Sequence, residues 1–153
     1  SRCRRFAVKP GVMTTGRLLA VDPGREKCGL AVVDRQQGVL AHAIAPTAQL
    51  ADLAGEWISC YGCRTIVIGD RTAGAGAAQV LEKLLLERKI DRLVPVDEHK
   101  SSLEARARYW QAHPPTGWRR FLPEGLRFPP CAIDDYAAII LAERYFQADV
   151  KNL

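Results

Sequence analysis

Six acidic residues in this chain stand where short apolar runs end or where a helix is expected to begin: Asp22, Asp70, the pair Asp97-Glu98 and the pair Asp134-Asp135. Carboxylates gathered on one edge repel one another and resist sharing a dry site unless a cation neutralises them. Hard oxygen ligands suit Mg²⁺ or Mn²⁺. Two such ions about 4 Å apart can activate a water and stabilise the leaving oxygen of a phosphodiester. That chemistry needs a few acids delivered by different elements and sets no local spacing between them. Taken singly, each acid also has an ordinary role: Asp22 at a turn, Asp134 capping a helix, Asp97 or Glu98 at a solvated strand end.

The elements that must position these acids can be read from hydrophobic pattern. Leu18–Val21, Leu30–Val33 and Val39–Ala45 are short, apolar and β-rich, and predict an antiparallel meander. Leu50, Leu53, Ala54, Trp57, Ile58 and Tyr61 recur at helical spacing. Thr65–Gly69 is a continuous apolar run, typical of a strand buried on both faces. A helix over Ala77–Lys89 follows, with Val80, Leu81, Leu84 and Leu85 inward, then a fifth strand in "RLVPV". Ser101-Ser102-Leu103-Glu104 offers a capping box for a helix reaching Trp110. His113 to Pro130, with five prolines, reads as a long loop, and a last helix is expected over Asp134 to Gln147.

The order β-β-β-α-β-α-β-α-loop-α predicts an α/β fold. Its mixed five-stranded sheet has strands one to three as a meander, strands four and five parallel to strand one, and helices on its faces. In such a sheet the carboxyl ends of strands one, four and five share one edge, where ligands bind in open α/β folds. Asp22, Asp70 and Glu98 are therefore expected to converge, with Asp134 brought in by the last helix.

Four segments carry a resemblance to a known family. "AVDPGREKCGLAVVD" resembles the opening strand–turn–strand of the YqgF/RuvX family, relatives of the RuvC resolvase in the RNase H-like superfamily. "IVIGDRTAG" is similar to the region after the family's fourth strand, "VDEHKSSLEA" to its Asp-Glu signature, and "IDDYAAIILAERYF" to its closing acid and helix. The resemblance runs from Leu18 to about Phe146. It implies an RNase H-like nuclease domain in which Asp22, Glu98 and Asp134 are the catalytic, metal-binding acids. The implied activity is Mg²⁺- or Mn²⁺-dependent phosphodiester hydrolysis with two metal ions. Small-subunit ribosomal RNA precursors are the favoured substrate that it implies, with a Holliday junction as the alternative. His99, Ser101 and Ser102 stand where the family commonly has Arg and threonines. Asp70 reads equally as a fourth ligand or a turn residue, and Asp135 is a further candidate.

The net charge of +5 and sequence pI near 9.1 favour a polyanionic partner. Arg25, Lys27, Arg71 and Lys100 lie beside the acids, and Trp118, Arg119, Arg120 and Phe121 mix rings with cations, which suits single-stranded or distorted nucleic acid. Trp118 packing onto the last helix is the alternative reading of that loop. Residues 1–16 read as a mobile basic arm and 17–153 as one domain, monomeric or homodimeric. No run approaches the ~18 apolar residues of a membrane span. Five cysteines without a secretion signal point to a reducing, cytoplasmic setting, and Cys60 and Cys63 read as ordinary thiols. Two other classes compete: a phosphotransferase, which needs a second lobe and an adenosine motif that are not found here, and a non-catalytic nucleic-acid-binding module of the same fold.

Overall fold

The computed structural model describes residues 16–70, 74–97, 99, 101–123, 129 and 133–151. Within them, strands and helices alternate much as the pattern predicts: β1 (Arg17–Asp22), β2 (Lys27–Asp34), β3 (Gly38–Pro46), α1 (Leu50–Tyr61), β4 (Thr65–Gly69), α2 (Gly74–Leu86), β5 (Arg92–Val96), α3 (Ser101–Ala112) and α4 (Asp134–Lys151). The sheet order is β3-β2-β1-β4-β5. β1, β2 and β3 form the antiparallel meander, and β4 and β5 run parallel to β1.

Alternation of side chains divides the sheet into two buried faces. Leu19, Val21, Leu30, Val32, Ile66 and Ile68 face α1 and α2. Leu18, Ala20, Ala31, Val33 and Val67 pack against Ala138, Ile139, Leu141 and Ala142 of α4. β1 is buried on both faces because it has a strand on either side and helices above and below it. That explains why Leu18 to Val21 show no polar alternation.

At the base of the sheet Arg17 pairs in register with Asp34. Its Nε donates to Asp34 Oδ2 at 3.2 Å and its Nη1 to the carbonyl of Tyr61 at 3.0 Å. Asp34 also accepts the amides of Gln36 and Gln37, which closes the turn between β2 and β3.

Three expectations change. The second helix begins at Gly74 and ends at Leu86, and Leu85 is 37% exposed whereas Leu81 and Leu84 are buried. Gly117–Phe121 forms a 3-10 turn inside the expected loop. Trp118 is 67% exposed, so it does not pack into the interior beside α4.

Cys28, Cys60 and Cys63 are free thiols. Burial pushes the Cys63 thiol up to about 12, which keeps it protonated and unreactive. Among the described residues, no helix is long and apolar enough to cross a membrane.

Candidate active site

β1 ends on Asp22, whose position in the alternation places it on the face covered by α4, in line with Leu18 and Ala20. Its ladder partner on β2 is Gly29. A Cβ added to Gly29 would lie 1.9 Å from the carbonyl oxygen of Asp134 and 2.6 Å from the amide nitrogen of Asp135. The first turn of α4 thus rests directly on the strand, and only glycine admits it. Because Gly29 is opposite Asp22, the same contact brings Asp134 next to the end of β1. The buried Cys28 registers both charges: burial raises its pKa first, and then the negative charges of Asp134 and Asp22 raise it further.

The turn between β1 and β2 is closed by a second missing side chain. A Cβ on Gly24 would lie 2.2 Å from the carbonyl oxygen of Lys27. Thr47 holds this turn from the far side, its Oγ1 donating to the Gly24 carbonyl at 2.9 Å and its amide to the Glu26 carbonyl at 2.9 Å. Gly24 is therefore demanded by the closure of the turn itself. Arg25 and Lys27 are left exposed on it, beside the acids.

Asp134 is half-buried, and its carboxyl is harder to ionise than usual. Burial is the main cause, the charge of Asp135 adds to it, and Lys27 opposes both. Asp135 is held by its neighbours. Its Oδ2 lies 2.6 Å from Nδ1 of His42 on β3, and its Oδ1 accepts the amide of Tyr136 at 3.0 Å. Both oxygens are engaged, and the pair ties the start of α4 to the edge strand. His42 has no sequence signal, because its partner lies 93 positions away.

Asp70 is exposed and follows β4, its amide donating to the Val96 carbonyl at 3.2 Å and carrying the β4–β5 ladder one residue further. Asp97 is exposed at the end of β5, where its Oδ1 accepts the amide of His99 at 2.8 Å. Glu98, Arg71 and Lys100 lie outside the described residues. Among the described residues no three potential ligands form a metal-binding cluster. The donor set is nonetheless of the right chemistry for a hard divalent cation: two carboxylates on one edge, one of them destabilised in its charged form, a condition a bound cation relieves.

Arg119 and Arg120 share the Gly117–Phe121 turn with two exposed rings. The Arg119 guanidinium carbon lies 5.3 Å from the Trp118 ring centre, and that of Arg120 lies 4.8 Å from that of Phe121. Phe121, which the sequence groups with Trp118, Arg119 and Arg120, is 76% exposed.

By sequence, the chain matches no protein-family model and no curated protein. By structure it is similar to RuvC of Thermus thermophilus. One such structure, described as a complex with a Holliday junction substrate, has a TM-score of 0.60 and 14% identity, and the match covers 89% of this chain and 96% of that one. A second RuvC structure has a TM-score of 0.56 and 14% identity, with 88% and 96% covered. At this identity the likeness defines the fold: this chain has the RNase H-like fold of RuvC, with the five-stranded mixed sheet and flanking helices expected from the element order.

Proposed function

We propose that this protein is a metal-dependent nuclease that hydrolyses phosphodiester bonds, related to the YqgF/RuvX group. The observation that carries the reading is the seating of α4 on Gly29, which sets Asp134 beside Asp22 at the carboxyl end of the central strand. Asp22, Glu98 and Asp134 would hold Mg²⁺ or Mn²⁺, and the bound ions would activate a water and stabilise the leaving oxygen. Asp135 anchors the helix through His42 and leaves the ligand role to Asp134. Asp70, at the end of the neighbouring strand, is the remaining candidate. Arg25 and Lys27 hold the phosphates next to the acids, and Arg71 and Lys100 are assigned the same role from sequence. Trp118, Arg119 and Arg120 present rings and cations to unpaired or distorted nucleic acid.

RNA is the favoured substrate, through the resemblance to the family linked to small-subunit ribosomal RNA maturation. A junction-cleaving DNA endonuclease is the second reading, supported by the junction bound to the RuvC structure of the same fold. Junction resolution needs two active sites, hence a dimer. The deciding experiment incubates the protein with labelled single-stranded RNA and with a synthetic four-way junction, each with Mn²⁺ or Mg²⁺, beside Asp22→Asn. Cleavage by the wild type alone upholds the assignment, and the preferred substrate chooses between the two readings. Equal cleavage by both proteins removes Asp22 from the chemistry. Binding without cleavage by either favours a non-catalytic module.

A further inference from the structure

Arg144 lies on α4 and reaches across to the connection between β5 and α3. Its Nη1 donates to the carbonyl of Asp97 at 2.6 Å, and its Nη2 donates to the carbonyl of His99 at 2.6 Å and to Glu104 Oε1 at 2.8 Å. One guanidinium therefore grips the backbone on both sides of position 98 and the first turn of α3. The Asp97 side chain closes the same stretch by accepting the His99 amide. Arg144 also stands on the wall of an open pocket of about 690 Å³ that Val94 and Val96 help to line. Only 22% of that side chain is exposed.

We infer that Arg144 is a positioning residue for Glu98, holding the two carbonyls that flank that acid at a set distance from α4. The inference rests on the nuclease reading above and deepens it. Asp134 opens α4 and Arg144 lies ten residues along it, so a single helix carries the third acid and bonds the residues on either side of the second. The planar fork of arginine serves two carbonyls and a carboxylate at once. A lysine ammonium keeps the charge without that geometry.

The test compares wild type, Arg144→Ala, Arg144→Lys and Glu98→Gln, with Arg64→Ala as a control that breaks the exposed ion pair with Asp91. The readouts are Mn²⁺ affinity, hydrogen exchange at the His99 amide, thermal midpoint, and kcat and KM on labelled RNA. Arg144→Ala is expected to weaken Mn²⁺ binding and lower kcat by about 10- to 100-fold, the usual effect of losing a group that orients a ligand. KM should stay within about two-fold, exchange at His99 should rise, and Arg144→Lys should recover part of the loss.

Unchanged Mn²⁺ affinity in Arg144→Ala overturns the inference, as does a loss that merely follows the thermal midpoint. A wild type that binds Mn²⁺ without cutting RNA or junction sinks the nuclease reading alone. Mn²⁺ affinity then decides: weakening in Arg144→Ala that matches Glu98→Gln upholds the positioning role, and no weakening ends it. A wild type that neither binds Mn²⁺ nor cuts removes both.

Discussion

The carbonyl oxygen of Asp134 rests on Gly29 so closely that a methyl carbon on the glycine would lie 1.9 Å away. Contact between helix and strand backbones at this point lets a residue at the start of α4 meet one at the end of β1. The candidate active site is therefore built on a glycine that carries no chemistry of its own.

Gly29→Ala should force the first turn of α4 off the sheet. Overpacking of this kind costs about 1–3 kcal/mol. The thermal midpoint should fall, and nuclease activity should fall further than the folded fraction explains, because Asp134 moves with the helix. Calorimetry and an RNA cleavage assay on the same sample check this. An alanine variant with wild-type activity would mean that the helix seat does not set the site.

Asp134→Asn separates stability from function. Burial and Asp135 raise the pKa of Asp134 in the fold, so its ionised form opposes folding once pH exceeds the unfolded value, and stability is regained as pH falls. In metal-free buffer at pH 7 the asparagine variant should melt no lower than wild type. Saturating Mn²⁺ should raise the melting point of wild type, by about 2.7 kcal/mol of stability at 100 times the dissociation constant, and leave the variant unmoved. Cleavage should drop at least about 100-fold, equivalent to ~2.7 kcal/mol of transition-state stabilisation. A variant that Mn²⁺ stabilises as fully as wild type would remove Asp134 from the ligand set.

Asp34 should make the fold acid-sensitive. Burial raises its pKa, but the amides of Gln37 and Gln36 and the Arg17 guanidinium outweigh that and hold the carboxyl below its ordinary range. Its stabilisation is thus complete above the unfolded value and is lost as pH falls through the folded one, from about pH 4 downward. Asp34→Asn should cost about 1–2 kcal/mol at pH 7 and flatten that acid limb. Urea titrations from about pH 2.5 to about pH 7, roughly half a pH unit apart, provide the measurement. An acid limb of the same slope in both proteins would take Asp34 out of the acid response.

Trp118, Arg119 and Arg120 should matter for binding and little for folding. Trp118→Ala should leave the melting point unchanged, since the ring is 67% exposed. It should weaken single-strand binding by about 1–3 kcal/mol if a base stacks there. Arg119→Ala with Arg120→Ala should lower the slope of log affinity against log salt by about 1.5. Fluorescence anisotropy at several salt concentrations reads both effects, and an unchanged slope would take the turn out of the interface.

The strands, most of the helices and the parallel-antiparallel sheet are legible in the chain, because period-two and period-3.6 apolar patterns report burial locally. Thr65–Gly69 and Arg92–Val96 appear in the structure with the bounds that their apolar runs indicate. Asp22 and Asp134 can be singled out in the sequence because acids at the ends of apolar runs are conspicuous. Gly29 carries a signal that is easy to pass over: a glycine inside a strand pattern marks close approach of another backbone.

Other parts of the site have no local mark. His42 meets Asp135 across 93 positions, Thr47 reaches back 23 to Gly24, and Arg144 reaches back 47 to Asp97. Each is a polar side chain whose partner is set by how α4 crosses the sheet or, for Thr47, by the register of β3 on β2. The sequence by itself determined which residues enter strands and helices and which acids stand at their ends, since those follow from neighbours along the chain. Only the tertiary structure decided that Asp135 meets His42, that Gly24 closes its own turn, and that Arg144 joins Asp97, His99 and Glu104. Such pairings depend on distances between elements, which no pattern of nearest neighbours encodes.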